Sequence, residues 1–408
     1  MRAWLVAVAV LAAACSSGHP ESGSPAPTAA PSAPPSSVSP AGTATSRSVT
    51  LPSTPPTCSN ATVIARWPVA RRAAQLVAVP VFQGQSASVS VAVNLQAGGI
   101  LLIGSVPGAA SLKTDLQAAT GDRPGPAPMV MADEEGGGVQ RLVPDVNSLP
   151  WPRQMAATMT PGQVEQAAAA VAAQMKALGV TVDLAPVLDL DGGAQLTERD
   201  PDGPRSFSTV PATAASYGIA FAKGLAAGGV VAVVKHFPGL GQASGNTDYG
   251  AAQTRPIAQL RAAGLLPFAQ AIGSEVRAVM VANATVPGLT SRPASVSSAV
   301  ITGLLRDQMH FGGLVMTDSL TAGAISSAGY SVPDAAVASI EAGADMVLFG
   351  STLTPAETAQ LAPGPLQAET RAILTAITQA VSAGTLPEER LDQAVVDVLK
   401  VKGVNLCS

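Results

Sequence analysis

Aromatic side chains make up only 3% of the 408 residues, and charged ones only 12%. So few aromatics exclude a long stacking cleft of the kind that grips extended polysaccharides. Recognition of a polar ligand must then rest on compact clusters of polar groups. Histidine occurs three times (His19, His236, His310) and cysteine three times (Cys15, Cys58, Cys407). Scattered this widely, they form no spaced ligand set, so no metal is expected. The net charge is −4 and there is no basic run, which argues against nucleic acid as a partner. No glycine-rich dinucleotide turn follows the first apolar run, and no organic cofactor is implied.

What is present begins with an N-terminal segment that should not count toward a fold. Residues 1–14, "MRAWLVAVAVLAAA", carry one Arg and then an apolar run. That run is shorter than the about 20 residues a membrane span needs, and its layout is that of a secretory signal peptide. It ends in "LAAAC", where small residues precede Cys15 as in a bacterial lipobox, with Ala12 at the position that usually holds Leu. The expectation is cleavage, lipidation of Cys15 and anchoring to the outer face of the cell membrane; a plain signal peptide is the alternative. Residues 15–57 are Ser-, Pro-, Thr-, Ala- and Gly-rich and cannot bury enough surface to offset chain entropy, so they read as a disordered linker. Cys58 and Cys407 flank the remainder. In an oxidising compartment they could pair and join the two ends, the alternative being two free thiols.

Residues 58–408 contain eight short apolar runs: 75–82, 98–104, 128–135, 180–190, 230–237, 276–284, 313–320 and 344–350. Each is continuous rather than alternating, which marks a strand covered on both faces. Segments with apolar residues at three and four spacing lie between them, among them 163–178, 212–227, 257–273 and 297–310, and Pro387 opens a last one that Gly403 follows. Repeated strand–helix order predicts an α/β fold, a single (β/α)8 TIM-type barrel, in which the site lies where strands run into the following loops. Asp133, Asp189, Lys235, His236, Asn283, Asp318 and Asp345 stand at strand ends and are expected to converge there.

The motifs "MADEEGGGVQRL" (131–142), "LAPVLDL" (184–190), "PRSFS" (204–208), "VVKHFPGLG" (233–241), "RPASVSS" (292–298), "GGLVMTDSL" (312–320) and "AGADMVL" (342–348) occur in that order. Together they resemble the single-domain branch of glycoside hydrolase family 3, the bacterial β-N-acetylglucosaminidases that act on muropeptides and related cell-wall fragments. The resemblance implies a small carbohydrate or muropeptide substrate and, for the chain itself, a monomer. It implies that Asp318 is a nucleophile forming a covalent glycosyl-enzyme with retention, rather than merely a helix cap. It implies that Asp133, Arg205, Lys235 and His236 bind the sugar, while Glu135 and the glycines after it shape a loop. Neighbouring strand residues normally point to opposite faces, so Lys235 and His236 can both reach one site only if the backbone departs from a regular strand. A cis Phe237–Pro238 bond is expected there.

Retention also needs a group that protonates the leaving oxygen. In the branch it resembles, that group is a His in a mobile loop, within a pattern like "GxGDTxxDSH", oriented by an Asp two places earlier. Here the aligned stretch reads "GLGQASGNTD" from Gly239, with Asn246 in place of the orienting Asp and Asp248 in place of the His. Asp248 is therefore the candidate acid/base. Slow turnover restricted to activated substrates is one alternative, and a catalytically silent sugar-binding lipoprotein is another. Phosphorolysis ranks low, because a carboxylate near the acceptor repels phosphate.

Overall fold

In the computed structural model the described residues are 58–106, 108, 110–120, 125–197 and 200–407. The signal segment, Cys15 and the linker to residue 57 lie outside the described residues. Ten strands are present: β1 Val77–Phe82, β2 Gly99–Ile103, β3 Met129–Ala132, β4 Glu134–Gly136, β5 Val139–Gln140, β6 Val182–Asp183, β7 Val231–Phe237, β8 Ala278–Val281, β9 Leu314–Ser319 and β10 Met346–Leu348. Eight of them close a barrel in the order β1-β10-β9-β8-β7-β6-β3-β2, and β4 and β5 form a separate two-stranded hairpin. Every barrel pairing is parallel, and the eight strands coincide with the eight apolar runs.

The continuous apolar character of the runs follows from double coverage. On β1, Val77, Val79 and Val81 join the cluster packed under the outer helices, while Ala78 belongs to the barrel interior. Methionines dominate that interior: Met129, Met131, Met280, Met316 and Met346 fill it, closed from below by Val398 and Val401 of the last helix. That helix, Glu388–Lys402, starts after Pro387 and stops at Gly403, whose φ of 68° is the left-handed cap that favours glycine. Its buried Leu391 and Leu399 each contribute roughly 2 kcal/mol of apolar burial.

Two helical segments depart from regular α geometry. The 257–273 segment passes through a wider π-type turn at Leu260–Gly264 before Leu265–Gly273, and the 297–310 segment takes the same form over Ala299–Gln308. In the first, Pro267 lacks the amide that would bond back to Ala263, and the wider turn lies beside that missing bond.

One strand-end residue is not at the mouth. Asp345 precedes β10, so it lies at the opposite rim, where it is fully buried. Its Oδ2 takes Arg306 Nη2 at 2.7 Å and the Val315 amide at 2.9 Å, and its Oδ1 takes Arg390. A residue at the start of a strand rather than its end was read into the wrong rim, and its two arginines make it a structural ion triad. His310 also lies at that end, in the turn leading into β9, and is exposed. The chain ends are fastened together there. Cys58 and Cys407, 349 residues apart, are disulfide-bonded, and Asn60 donates to the Val404 carbonyl at 2.7 Å and accepts from the Leu406 amide at 2.8 Å.

Candidate active site

At the other end of the barrel the loops after the strands enclose a cavity of about 670 Å³. Asp133, Glu135, Arg205, Lys235, His236, Asp248 and Asp318 all line it, so every residue expected to contact sugar or act in catalysis reaches one space. β7 delivers two of them from adjacent positions. The Lys235–His236 and Phe237–Pro238 peptides are both cis, and the β7–β8 register shifts between Val234 and Phe237. The strand is therefore irregular just where two neighbouring side chains must face the same way.

Glu135, read from sequence only as a loop former, is the centre of the binding wall. Its carboxylate accepts Arg205 Nε and Nη2, each at 2.7 Å, and Lys235 Nζ at 2.6 Å. Lys235 also donates to Asp133 Oδ1 at 2.7 Å, and Arg141 Nη2 stands 3.7 Å from Asp133 Oδ2. Glu135 is 1% exposed, and burial alone would raise its pKa; Arg205 and Lys235 overcome that and hold the carboxyl well below the usual range. Asp133 is likewise lowered, by Lys235 and Arg141 against burial. Donor counting then limits what remains for a ligand. Arg205 gives three N–H groups to Glu135 and to the Pro201 carbonyl, leaving two of its five. Lys235 keeps one of three, and Asp133 keeps free lone pairs.

Glycine makes the wall possible. Gly137 has φ 58°, and a Cβ there would stand 2.0 Å from the Trp151 ring, so the hairpin lies directly on the indole. Glu134 ties the hairpin shut by accepting the Arg141 and Leu142 amides, each at 2.5 Å.

His236 is held by Asp189, which is fully buried and accepts the His236 amide at 3.0 Å and Nδ1 at 2.7 Å. Because Asp189 Oδ2 is already an acceptor for an amide, Nδ1 is the protonated nitrogen, and Nε2 is left as an acceptor. Burial, then Arg205, push the ring down to about 4, so it is neutral at ordinary pH. Asp189, Asp202 and His236 bring their ligating atoms within 4.8 Å of one another. Here the short Nδ1–Oδ2 contact is a hydrogen bond that fixes the tautomer. Sequence reasoning did not single out Asp202, Arg153 or Asp191. Arg153 grips the Ser206 and Gly203 carbonyls, at 3.0 and 3.3 Å, and so sets the loop that carries Arg205.

Asp318 is the last residue but one of β9, half-buried, with Oδ1 accepting the Ser319 amide at 2.7 Å. Burial raises its pKa and Asp248 raises it further, while His236 lowers it. Asn283 braces the same strand end, donating to the Ser319 carbonyl at 2.7 Å and accepting Ser295 Oγ at 2.6 Å. It supports the strand that carries Asp318 and is 0% exposed.

Asp248 sits exposed on the cavity wall. The surrounding walls still withhold enough water to raise its carboxyl, aided by Glu357 and Asp133 and opposed by Arg205. Asn246, in the orienting position, closes a turn: its Oδ1 accepts the Asp248 amide at 2.9 Å. An Asn-x-Asp turn thus stands where the resemblance implies an Asp–His pair.

A closed parallel barrel with paired carboxylates and a cationic clamp at the C-terminal mouth is the architecture of a glycosyl hydrolase. Residues 69–401 match the glycosyl hydrolase family 3 N-terminal domain, and the chain belongs to that family. It is 35% identical to the β-hexosaminidase LpqI of Mycobacterium tuberculosis over 98% of this chain and 96% of that protein. Among solved structures it is similar to a family 3 glycosyl hydrolase from Mycobacterium smegmatis. The identity there is 35% and the TM-score 0.73, over 85% of this chain and 100% of that one. It is also similar to the β-N-acetylhexosaminidase of Beutenbergia cavernae, at 28% identity and a TM-score of 0.70, over 83% and 99% of the two chains.

Proposed function

We propose that this enzyme is a retaining, exo-acting β-N-acetylglucosaminidase that releases terminal N-acetylglucosamine from peptidoglycan fragments. The observation that carries the reading is the shared cavity of Asp318 and Asp248, two carboxyls of different surroundings beside a wall of sugar-binding donors and acceptors. The names of the similar proteins support the sugar preference.

In the first step the Asp318 carboxylate attacks the anomeric carbon as the bond to the leaving oxygen breaks, and Asp248 gives that oxygen its proton. In the second, Asp248 takes a proton from water, the water oxygen bonds to the anomeric carbon, and the bond to Asp318 breaks. The two roles call for Asp318 ionised and Asp248 protonated at the start. Asp133, with Lys235 and His236 Nε2, is placed to hold the sugar hydroxyls, and the two spare Arg205 N–H groups suit an acetyl carbonyl. The signal-like segment and Cys15 support a lipid anchor on the outer face of the membrane in this reading, with the enzyme acting as a monomer.

A second reading, a silent sugar binder, draws on the Asn246–Asp248 turn standing where a His is expected. Hydrolysis of an aryl β-N-acetylglucosaminide decides between them. Wild type is expected to turn it over and Asp318→Ala to lose at least about 10⁴-fold, on the scale of removing a covalent nucleophile. An inert wild type whose melting temperature rises with free N-acetylglucosamine would establish the binder.

A further inference from the structure

The loop after β7 is tied at three levels. At its base, Asp189 Oδ1 accepts the Leu240 amide at 2.5 Å and Asp191 Oδ2 the Gln242 amide at 2.9 Å. At its waist, the Ser244 amide donates to the Gln253 carbonyl at 2.8 Å, and the Gln253 amide returns to Ser244 Oγ at 2.9 Å. At its tip, the Gly323 amide donates to the Asp248 carbonyl and the Ala324 amide to the Thr247 carbonyl, each at 2.9 Å. Thr247 is 3% exposed, so the tip is packed down rather than hanging free.

The residues that receive the tip belong to the loop of the other carboxyl. Gly323 and Ala324 open the short helix Gly323–Ser327 that follows β9, the strand that carries Asp318 near its end. Gly323 is not needed for an unusual φ; it is needed for closeness. A Cβ on it would stand 2.6 Å from the Tyr249 carbonyl carbon and 2.8 Å from both Gly250 N and Tyr249 O. Those are backbone atoms, which cannot swing aside as a flexible side chain can. Any other residue at 323 therefore lifts the 247–250 segment off its seat.

We propose that Gly323 is a positioning residue for the acid/base: its bare backbone is the seat that fixes Asp248 relative to Asp318. The inference rests on the assignment of Asp248 as acid/base. In this chain the proton donor is registered against the nucleophile through two backbone hydrogen bonds and one missing Cβ. The Asn246 side chain holds the Asp248 backbone from within the turn, accepting its amide at 2.9 Å.

The test compares two substrates. An aryl β-N-acetylglucosaminide with an acidic phenol leaves without protonation; a β-1,4-linked N-acetylglucosamine disaccharide needs it. Gly323→Ala is expected to slow the disaccharide by about 30-fold or more, part of the 10²–10⁴ that a general acid supplies, and the aryl substrate by less than about 3-fold. Its disaccharide pH profile should also lose the falling limb at high pH. Ala324→Pro serves as the second variant: proline is tolerated in a first helical turn, and it both removes the amide that holds the Thr247 carbonyl and sets its ring Cδ against that oxygen. If Gly323→Ala does not fold, Ala324→Pro decides alone. Equal losses on both substrates, or none, overturn the proposal. Asp248→Asn run alongside keeps the two assignments apart. If it shows no preference between the substrates, the acid/base assignment fails; if it does and the seat variants do not, only the seat fails.

Discussion

The two rims of this barrel are built from the same residue types and do opposite things. At the strand starts, Asp345 meets Arg306 and Arg390, both of its oxygens are consumed, and the Val315 amide completes the set. At the strand ends, Asp133, Glu135, Lys235 and Arg205 form a comparable ion network, yet it is left incomplete. Glu135 has both oxygens engaged by three contacts, while Asp133, Lys235 and Arg205 keep a few lone pairs and N–H groups beside a cavity. The difference lies in the count of unused valences rather than in charge. A closed network braces a fold, and an open one, held rigid by a doubly engaged centre, leaves valences for a ligand.

The sharpest way to break the comparison is to exchange consequences. Glu135→Gln removes the centre of the open network and leaves Arg205 and Lys235 buried without their shared anion. A loss of at least about 100-fold in kcat/KM is expected, because the sugar-contacting groups lose their fixed geometry. Asp345→Ala should do the reverse. Uncovering two arginines at a buried pair costs about 3 kcal/mol, seen as a fall in the urea midpoint, with kcat of the folded fraction unchanged within about 2-fold. A catalytic loss in the folded Asp345 variant would show that the rims are not independent.

Much of this was legible before any coordinates. The eight strands were readable because each is covered on both faces and so is written as an unbroken apolar run. Asp133, Arg205, Lys235, His236 and Asp318 were singled out through the family resemblance of their motifs, and all five reach one cavity. What stayed hidden are relations between distant loops. Nothing in "DEEGG" says that its second Glu takes both Arg205 and Lys235, nor that Asp189 would hold the ring of His236. The misplaced Asp345 shows the limit from the other side: an Asp next to an apolar run looks the same at either end of a strand. Gly323 was invisible for a different reason, since a glycine needed for close approach leaves no local pattern.

The smallest effect concerns the seam between the network and the barrel wall. Asp202 is 1% exposed, its Oδ1 has no hydrogen-bond partner, the Arg205 guanidinium stands 3.7 Å away and the neutral His236 ring 3.9 Å. Burial first, then Asp189, push its carboxyl up to about 8. The sign follows from linkage. Between the ordinary carboxylate value near 4 and about 8, the folded state holds a proton at Asp202 that the unfolded state has released. Its contribution is therefore fully present below the unfolded value and is lost as pH rises through that window. Glu134, pushed up to about 7 mainly by burial, adds to the same slope. Wild-type melting temperature should fall from pH 5 to pH 8. Asp202→Asn, neutral at every pH, should flatten that fall by a few degrees while leaving the pH 5 value within about a degree, since the change there replaces one uncharged group by another. An Asp202→Asn variant whose melting temperature falls as steeply as that of the wild type would mean that Asp202 is ionised in the folded state, with Arg205 pairing with it as well as with Glu135.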